Sequence, residues 1–377
     1  MSKEEKQRLL SLDVFRGITI AGMLLVNNPG SWDYVYPPLK HAEWHGCTPT
    51  DLIFPFFLFI VGVAIKLAFD RRIMEGGERK EESKKKLILH IIKRSIILFL
   101  LGLILNGFPN YNLREIRIPG VLQRIAICYL FASLITLYVA DVKTISVVTL
   151  FLLVLYWDLM VLVPVPGVGV GVLEKGRNLA SYLDSILLRG HMWKVTKTWD
   201  PEGVLSTVPA LCTTLIGVIT GYWLKSRYEP LQKAVMMFIF GNLGLLLGWI
   251  WSIWFPLNKY IWTSSYVIFT AGAALHFLAT CYWLVEIKGY RRGLVTPFVI
   301  YGKNAIAVFF LTGLFGRILI NVKVGSEKLA LKEVIYRSIY LPLFGTYNGS
   351  LAYAVTFLLL WLGIMSIFYY KKIFIKI

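Results

Sequence analysis

Apolar stretches of about 20 residues alternate with short polar segments along almost the whole chain. Each stretch is continuously apolar, and a helix satisfies its own backbone hydrogen bonds in lipid, so the pattern predicts membrane-spanning helices. The ten stretches cover residues 12–28, 50–69, 88–107, 119–139, 144–163, 205–224, 234–254, 263–285, 295–320 and 350–370. We therefore predict an all-α polytopic membrane protein with about ten transmembrane helices, formed by a single domain over residues 1–377.

Composition supports this class. Hydrophobic residues make up 56% of the 377 residues, charged residues only 16%, and the mean hydropathy is +0.63, which excludes a soluble globule. The four cysteines show neither metal-ligand nor disulfide spacing. No cleavable signal peptide is expected, because the first apolar stretch carries Asp13 and Arg16 and lacks a small-residue cleavage site.

The formal net charge of +18 comes largely from segments that flank the apolar stretches. Segment 70–94 is the most charged, and the positive-inside rule places it in the cytoplasm together with both termini. Loops 29–49 and 164–204 then face outward. The chain shows no nucleic-acid-binding module, so the basic charge indicates membrane orientation rather than a nucleic-acid partner.

Loop 29–49 holds two histidines, His41 and His45. An imidazole is the usual general base near neutral pH, although an interfacial histidine can equally bond lipid headgroups or loop carbonyls. The two histidines with Glu43 or Asp51 are also a conceivable metal site. The order is H-x-E-x-H rather than the helical H-E-x-x-H, so no metal is expected.

Asn27 and Asp51 border this loop. The Asn27 amide can donate to a developing oxyanion, but asparagine before proline also ends helices. Asp51 follows Thr48 and Thr50 at the start of the second stretch, where a carboxylate suits the helix dipole. The alternative role for Asp51 is to orient His41, and both remain open.

Several polar residues lie inside the apolar stretches, where such groups favour function. Arg16 can pair with Asp13 at i, i+3 or bind an anionic ligand. Gln123 and Arg124 form a polar pair in the fourth stretch, and Asn304 interrupts the ninth.

The outer segments offer candidate contacts for a substrate. Asp200-Pro201-Glu202-Gly203 reads as a helix start with proline in the first turn, and its two carboxylates can also hold a substrate ammonium. Aromatic residues in the external loops suit either sugar stacking or a membrane-interface belt. They are Trp32, Tyr34, Tyr36, Trp44 and Trp199.

Four blocks occur in a recognisable order: SLDVFRGITIAGMLLVN, KHAEWHGCTPTDLIFPFFLFIVG, IRIPGVLQRIAICY and DPEGVLSTV. They span positions 11 to about 210 and resemble the heparan-α-glucosaminide N-acetyltransferase family. A weaker likeness continues through SYVIFTAGAALHF and TPFVIYGKNAIAVFF. The large luminal portion and the extra first span of the lysosomal member have no counterpart here, so a bacterial relative in the inner membrane is expected.

The resemblance implies acetyl transfer from cytosolic acetyl-CoA to the amine of a terminal glucosamine on the far side of the membrane. The family's active histidine falls on His41 and its companion asparagine on Asn27. Our own hypothesis adds Asp51 as the residue that supports His41. The residues assigned to acetyl-CoA are Arg16, Gln123, Arg124 and Asn304. Those assigned to the amino sugar are Trp44, His45, Asp200 and Glu202. Relatives suggest a homodimer.

Three points stay open at this stage. His41 can abstract a proton or carry the acetyl group covalently. A sugar transporter or a lipid-linked-sugar flippase also fits ten spans with buried polar groups, although no internal repeat supports it. An O-acetyltransferase of envelope polysaccharide would use the same donor.

Overall fold

The computed structural model describes residues 9–75, 80–326 and 328–375, and nearly all of its regular structure is helical. The helices are α1 (Leu10–Asn27), α2 (Ile53–Glu75), α3 (Lys80–Gly107), α4 (Val121–Tyr138), α5 (Val142–Leu162), α6 (Leu179–Leu187), α7 (Thr207–Lys225), α8 (Pro230–Trp251), α9 (Ser264–Tyr282), α10 (Thr296–Lys303), α11 (Ala305–Asn321), α12 (Leu331–Ile335), α13 (Leu341–Phe344) and α14 (Thr346–Tyr370). A two-residue antiparallel hairpin joins β1 (Lys323–Val324) to β2 (Leu329–Ala330).

Nine helices of the described chain are long and apolar enough to cross a membrane, and α10 with α11 makes a tenth span if this bent pair counts as one. The protein is therefore an all-α polytopic membrane protein, as predicted. The basic segment 70–94 is helical at both ends, in α2 and α3, while its residues 76–79 and the N-terminal residues 1–8 lie outside the described residues. The cytoplasmic placement of the termini stays a prediction.

The ninth span departs from the sequence prediction of one helix over residues 295–320. Its two halves meet at an angle of 76°. Asn304 lies at the break with a non-helical backbone, φ −122° and ψ 30°. Its amide Nδ2 donates to the Ile373 carbonyl at 3.1 Å, and its Oδ1 accepts from the Ile375 N–H at 3.0 Å. The side chain thus binds the backbone of residues 373–375, which no local pattern reveals.

The connection between α11 and α14 consists of short elements. It contains the β1–β2 hairpin, then α12, a π-helical turn over Tyr336–Tyr340, and α13. Gly345, with φ +74°, separates α13 from α14, because a left-handed backbone ends one helix before the next begins.

The described residues fall into two compact units that interleave along the chain. Unit 1 comprises Met1–Ala42, Thr48–Ile53 and Phe277–Ile377, and unit 2 comprises Glu43–Cys47 and Phe54–His276. In unit 1, α1 and α10 approach at backbone distance. A Cβ at Gly17 would lie 1.8 Å from the Phe298 carbonyl oxygen, and one at Gly302 would lie 1.9 Å from that of Asp13. Only glycine permits this contact, as in other membrane helix pairs.

In unit 2, α2 and α7 also approach at backbone distance through glycines. A Cβ at Gly62 would lie 1.9 Å from the Thr214 carbonyl oxygen, and one at Gly217 would lie 2.1 Å from that of Phe59. A buried apolar cluster contributed by α2, α3, α4, α5 and α7 continues this packing. Its members are Ile65, Phe69, Leu87, Ile91, Tyr129, Ala132, Ile145, Leu215 and Val218.

Candidate active site

Two short 3₁₀ turns fix the backbone on either side of His41 within unit 1. The turn Pro37–Leu39 precedes it and the turn Pro49–Leu52 follows, each with proline in its first position. The Thr50 hydroxyl donates to the Pro38 carbonyl at 3.2 Å and so ties one turn to the other. A loop fixed in this way holds an imidazole in one place.

His41 and Asp51 form a hydrogen-bonded pair, with 2.6 Å between His41 Nδ1 and Asp51 Oδ1. The Asp51 carboxylate is buried, whereas the imidazole is 34% exposed. An ionised carboxylate only accepts hydrogen bonds, so Nδ1 carries the proton and Nε2 is the basic nitrogen. This tautomer is the one that a general base or a nucleophilic imidazole needs.

The second carboxylate oxygen of Asp51 is also engaged. Oδ2 accepts from the Ala42 and Thr48 N–H groups, each at 3.0 Å, and lies 3.0 Å from the Thr48 hydroxyl. With Thr48 it forms a capping box on the turn that leads into α2. The two alternative roles of Asp51, helix cap and orienter of His41, are thus both present and use different oxygens.

Two consecutive amides end α1, and they differ in their contacts. Asn28 Nδ2 donates to the Leu24 carbonyl at 2.9 Å and closes the helix. Asn27 is exposed, and its side chain makes no hydrogen bond within the part of the chain that the structure describes. Of the two, Asn27 is available to a ligand. Its role as an oxyanion donor stays a prediction.

The two unit 1 residues assigned to the donor contact their own unit. Arg16 Nη1 lies 2.8 Å from Asp13 Oδ1, the pairing that the i, i+3 spacing allows, and 3.3 Å from the Gly302 carbonyl oxygen. The Asn304 amide holds residues 373–375 on both its donor and acceptor sides. A ligand at either residue would therefore compete with an existing contact.

Arg124 in unit 2 differs from Arg16 and Asn304, because part of its guanidinium has no hydrogen-bond partner among the described residues. Its side chain is fully buried on α4, and Nη2 donates to the Gly203 carbonyl at 3.1 Å and the Ser206 hydroxyl at 2.5 Å. Its Nε and Nη1 have no hydrogen-bond partner among the described residues, and neither has the buried Nε2 of Gln123. Buried donors almost always find partners, so these three nitrogens stand out among the described residues. The Arg124 guanidinium also lies over the Trp262 ring, 5.2 Å from its centroid.

The two acids assigned to the substrate ammonium both contact an arginine. Arg117 Nε and Nη2 contact Asp200 Oδ2 and Oδ1 at 2.8 and 2.6 Å, and Nη2 also contacts Glu202. This bidentate pair joins residues 83 positions apart. Arg117 was given no role by the sequence, and a substrate ammonium at these carboxylates would compete with its guanidinium.

The predicted helix start at Asp200 is wrong, because residues 200–203 form a turn and α7 begins at Thr207. Asp200 Oδ1 accepts from the Glu202 N–H at 3.0 Å, and Oδ2 accepts from the Trp193 N–H at 2.9 Å. The carboxylate therefore stabilises an Asx-type turn, which uses the same residues as a helix cap.

Asp184 supports this turn, and no motif in the sequence signals it. Its oxygens accept from the Asp200 N–H at 3.2 Å and the Val204 N–H at 2.9 Å. A Cβ at Gly203 would lie 2.1 Å from Asp184 Oδ2, so the turn needs glycine there. Burial raises the pKa of the Asp184 carboxyl to about 6, although the two backbone donors oppose that shift.

Trp44 and His45 belong to unit 2. Tyr260 stacks on Trp44 with 5.5 Å between ring centroids, and Trp44 Nε1 donates to the Leu173 carbonyl at 2.8 Å. His45 Nδ1 lies 3.4 Å from Asn258 Nδ2, and burial lowers the pKa of His45 below its ordinary 6.5. Among the described residues no group of three or more His, Cys, Asp and Glu side chains is arranged to hold a metal ion.

Comparison with known proteins identifies the family of this region. The family profile described as heparan-alpha-glucosaminide N-acetyltransferase, catalytic, matches residues 8–183. Residues 8–183 belong to this family. The chain is also 31% identical over 361 residues to the heparan-alpha-glucosaminide N-acetyltransferase of Homo sapiens, and 30% identical over 362 residues to that of Mus musculus. These alignments cover 80% and 81% of this chain but 52% and 53% of the relatives, so the chain spans about half their length.

The match to the N-acetyltransferase catalytic family divides the candidate residues. Inside it lie Arg16, Asn27, His41, Trp44, His45, Asp51, Gln123 and Arg124. Asp200, Glu202 and Asn304 lie outside it. The polar groups of these three contact other parts of the chain, and so do those of Arg16, Trp44 and Asp51 inside the match.

Proposed function

We propose that this protein is a transmembrane N-acetyltransferase that moves an acetyl group from cytosolic acetyl-CoA to the amine of an external amino sugar of the glucosamine type. The observation that carries the proposal is the His41–Asp51 pair, which leaves a basic nitrogen on a partly exposed imidazole. The name of the relatives in Homo sapiens and Mus musculus, which describes glucosaminide N-acetylation, supports the reaction class.

In the proposed reaction the acceptor nitrogen attacks the thioester carbonyl carbon directly. The bond from carbon to sulfur breaks, the coenzyme A thiolate leaves, and the new bond from carbon to nitrogen becomes an amide. His41 Nε2 takes the proton that the acceptor nitrogen loses, and Asp51 stabilises the resulting imidazolium through Nδ1. Asn27 donates to the carbonyl oxygen while it carries negative charge.

For the donor, the clearest candidates are the unpartnered N–H groups of Arg124 and Gln123. Acetyl-CoA carries carbonyl oxygens along its pantetheine arm, and these would satisfy buried donors that otherwise cost ~1–3 kcal/mol each. Arg16 and Asn304 would need to exchange present contacts for the donor. We further propose that residues 1–377 act as one acyltransferase domain, as a homodimer in a bacterial inner membrane.

The test is acetyl transfer from labelled acetyl-CoA to glucosamine by purified protein. His41→Gln removes the base but keeps a polar side chain, and His191→Gln, which changes a partly buried histidine with no assigned role, is the matched control. We expect His41→Gln to lower kcat by about 10³-fold. His191→Gln should retain activity within a few-fold, and both variants should keep the wild-type thermal midpoint.

Other outcomes would contradict parts of the proposal. Activity that survives in His41→Gln would exclude His41 as the base. An acetylated His41 trapped after incubation with acetyl-CoA alone would replace direct attack with a covalent carrier. A product labile to mild alkali would be an ester and would indicate O-acetylation. Uptake of the sugar into proteoliposomes without loss of acetyl-CoA would support a transporter.

A further inference from the structure

Helix α3 carries two cations inside an apolar stretch that is long enough to cross the membrane. Lys93 and Arg94 lie within residues 88–107 of that helix. An ionisable group at this depth is costly and almost always pairs with an opposite charge. Neither residues 84–107 nor helix α4 contains an aspartate or a glutamate, and no described carboxylate forms a salt bridge with either cation. The described part of the chain thus supplies no counter-charge for these two residues.

Part of the Arg94 guanidinium also has no hydrogen-bond partner. Its Nε is buried and finds no acceptor among the described residues. The guanidinium carbon lies 4.7 Å from the centroid of the Tyr129 ring on α4, so the ring covers the flat face of the group. The N–H groups of a guanidinium point outward in its plane, where they match two oxygens of a phosphate. Arg94 therefore combines a held position with donors that suit a phosphate.

Further basic side chains share one side of α3 with Arg94. Lys86, His90, Lys93 and Arg94 follow the spacing i, i+4, i+7 and i+8, which places them on one side of a helix. Lys86 and Lys93 are exposed, and Arg94 is half-buried. Cations concentrated on one side raise the positive potential there and attract an anion.

The same side of α3 becomes apolar beyond Arg94. Ile97, Leu101 and Ile104 continue the helical spacing, and Ile104 is 41% exposed. From Arg94 to Ile104 a helix rises about 15 Å, which is half the ~30 Å thickness of the hydrocarbon core. This side of α3 therefore presents a basic end and an apolar length, which match the headgroup and one acyl chain of a lipid.

The neighbours of Lys93 indicate that its counter-charge comes from the bilayer. Leu89, Ile92 and Ile96 surround it on the helix surface and are 68%, 40% and 53% exposed. Such apolar side chains on a spanning helix face lipid, and a soluble anion would lose its hydration on reaching them. A phospholipid already holds its phosphate at the edge of the hydrocarbon, and a lysine or arginine side chain extends toward that edge.

We propose that this side of α3 binds an anionic phospholipid, with the phosphate at Lys93 and Arg94 and an acyl chain along residues 97–104. Lys86 adds to the attraction from the end of the helix. A net negative headgroup is preferred, because the ammonium of a zwitterionic lipid opposes the approach of its phosphate to these cations. The inference uses none of the residues placed in acetyl transfer and does not depend on that reaction.

The experiment is native mass spectrometry of the whole protein in detergent, titrated with phosphatidylglycerol or with phosphatidylcholine of the same acyl chains. For the wild type we expect the Kd of phosphatidylglycerol to be about tenfold lower. The double variant Lys93→Gln/Arg94→Gln should raise that Kd about tenfold and change the phosphatidylcholine Kd less than about twofold. The matched control is Lys225→Gln/Arg227→Gln, which removes the same charges from exposed residues at the end of α7 and should bind both lipids as the wild type does.

Lys93→Gln alone covers the case in which the loss of Arg94 disturbs packing on Tyr129, because Lys93 is exposed. It should raise the phosphatidylglycerol Kd roughly fivefold. Equal Kd values for the two lipids in the wild type, an unchanged Kd in both α3 variants, or the same loss in the α7 control would overturn the inference. Coenzyme A also carries phosphates, and its displacement of phosphatidylglycerol would assign these cations to the donor and overturn the inference as well.

Discussion

A buried carboxylate in each unit binds a basic side chain, and the two basic side chains differ in their chemistry. In unit 1, Asp51 is buried and holds an imidazole that is about one-third exposed. In unit 2, Asp200 is buried and holds the Arg117 guanidinium in a bidentate contact. An imidazole gains and loses a proton near neutral pH, whereas a guanidinium does not. The first pair is thus suited to proton transfer and the second to structural support.

The contacts around each pair fit this division. Asp51 caps the turn before α2 in addition to contacting His41, so its position is fixed while the imidazole stays partly exposed. The Arg117–Asp200 pair stabilises the turn over residues 200–203, and Asp184 accepts backbone hydrogen bonds from Asp200 and Val204. Within that neighbourhood Arg124 differs, because two of its nitrogens lack partners in the described structure. If this division is correct, changes at the His41–Asp51 pair should lower activity, and changes around the Arg117–Asp200 pair should mainly lower stability.

Of the three tests that follow, Asp51→Asn should have the largest effect, because it changes the hydrogen bond between His41 and residue 51 in unit 1. Asparagine can donate to His41 Nδ1, which would place the proton on Nε2 and remove the basic nitrogen. We expect kcat to fall on the order of 10²-fold. The measurement is single-turnover acetyl transfer.

Thr50→Ala controls for general disturbance of the same turn, because it removes the bond to Pro38 but not the Asp51 contact. A kcat in Asp51→Asn equal to that of Thr50→Ala would show that Asp51 only stabilises the loop.

A second prediction concerns stability in unit 2. The pKa of Asp184 in the folded protein is about 6, above its ordinary 3.8. The folded state therefore binds a proton that the unfolded state has released, and this stabilisation is complete below about pH 4 and lost as the pH rises through about 6. The difference between these two pKa values corresponds to a loss of about 3 kcal/mol.

The midpoint of thermal unfolding in detergent should therefore fall between pH 5 and pH 7 by more in the wild type than in Asp184→Asn. Asp158→Asn, which changes an exposed acid on α5, serves as the control and should follow the wild type. A wild-type pH response that Asp184→Asn does not alter would contradict the assigned role of Asp184.

A third, smaller effect distinguishes Arg124 from Arg117. If the free N–H groups of Arg124 bind the donor, Arg124→Lys should raise the KM for acetyl-CoA about tenfold and leave the acceptor KM unchanged. The measurement is steady-state transfer at varied acetyl-CoA.

The control is Ser206→Ala, which removes a protein partner of Arg124 and none of its free nitrogens. If Ser206→Ala raised the donor KM equally, Arg124 would be a packing residue and the contrast with Arg117 would disappear.

The spans were predictable because membrane helices require continuous apolar stretches, and that requirement is local. The pairing of His41 with Asp51 was foreseeable as one of two alternatives, since only ten residues separate them. The Arg117–Asp200 pair joins positions 83 apart and Asn304 binds positions near 374, so tertiary packing alone decides these contacts. Asp184 gave no signal, because a single acid in a polar segment matches no motif.

The break in the ninth span has a practical consequence for handling the protein. Residues 373–375 are joined to Asn304, and Lys303 Nζ lies 5.2 Å from the Phe374 ring. The backbone of residues 373–375 is therefore tied to a transmembrane segment. We expect a purification tag or fluorescent fusion attached there to disturb the junction of α10 and α11. A change in the stability of such a fusion would then reflect the state of this span.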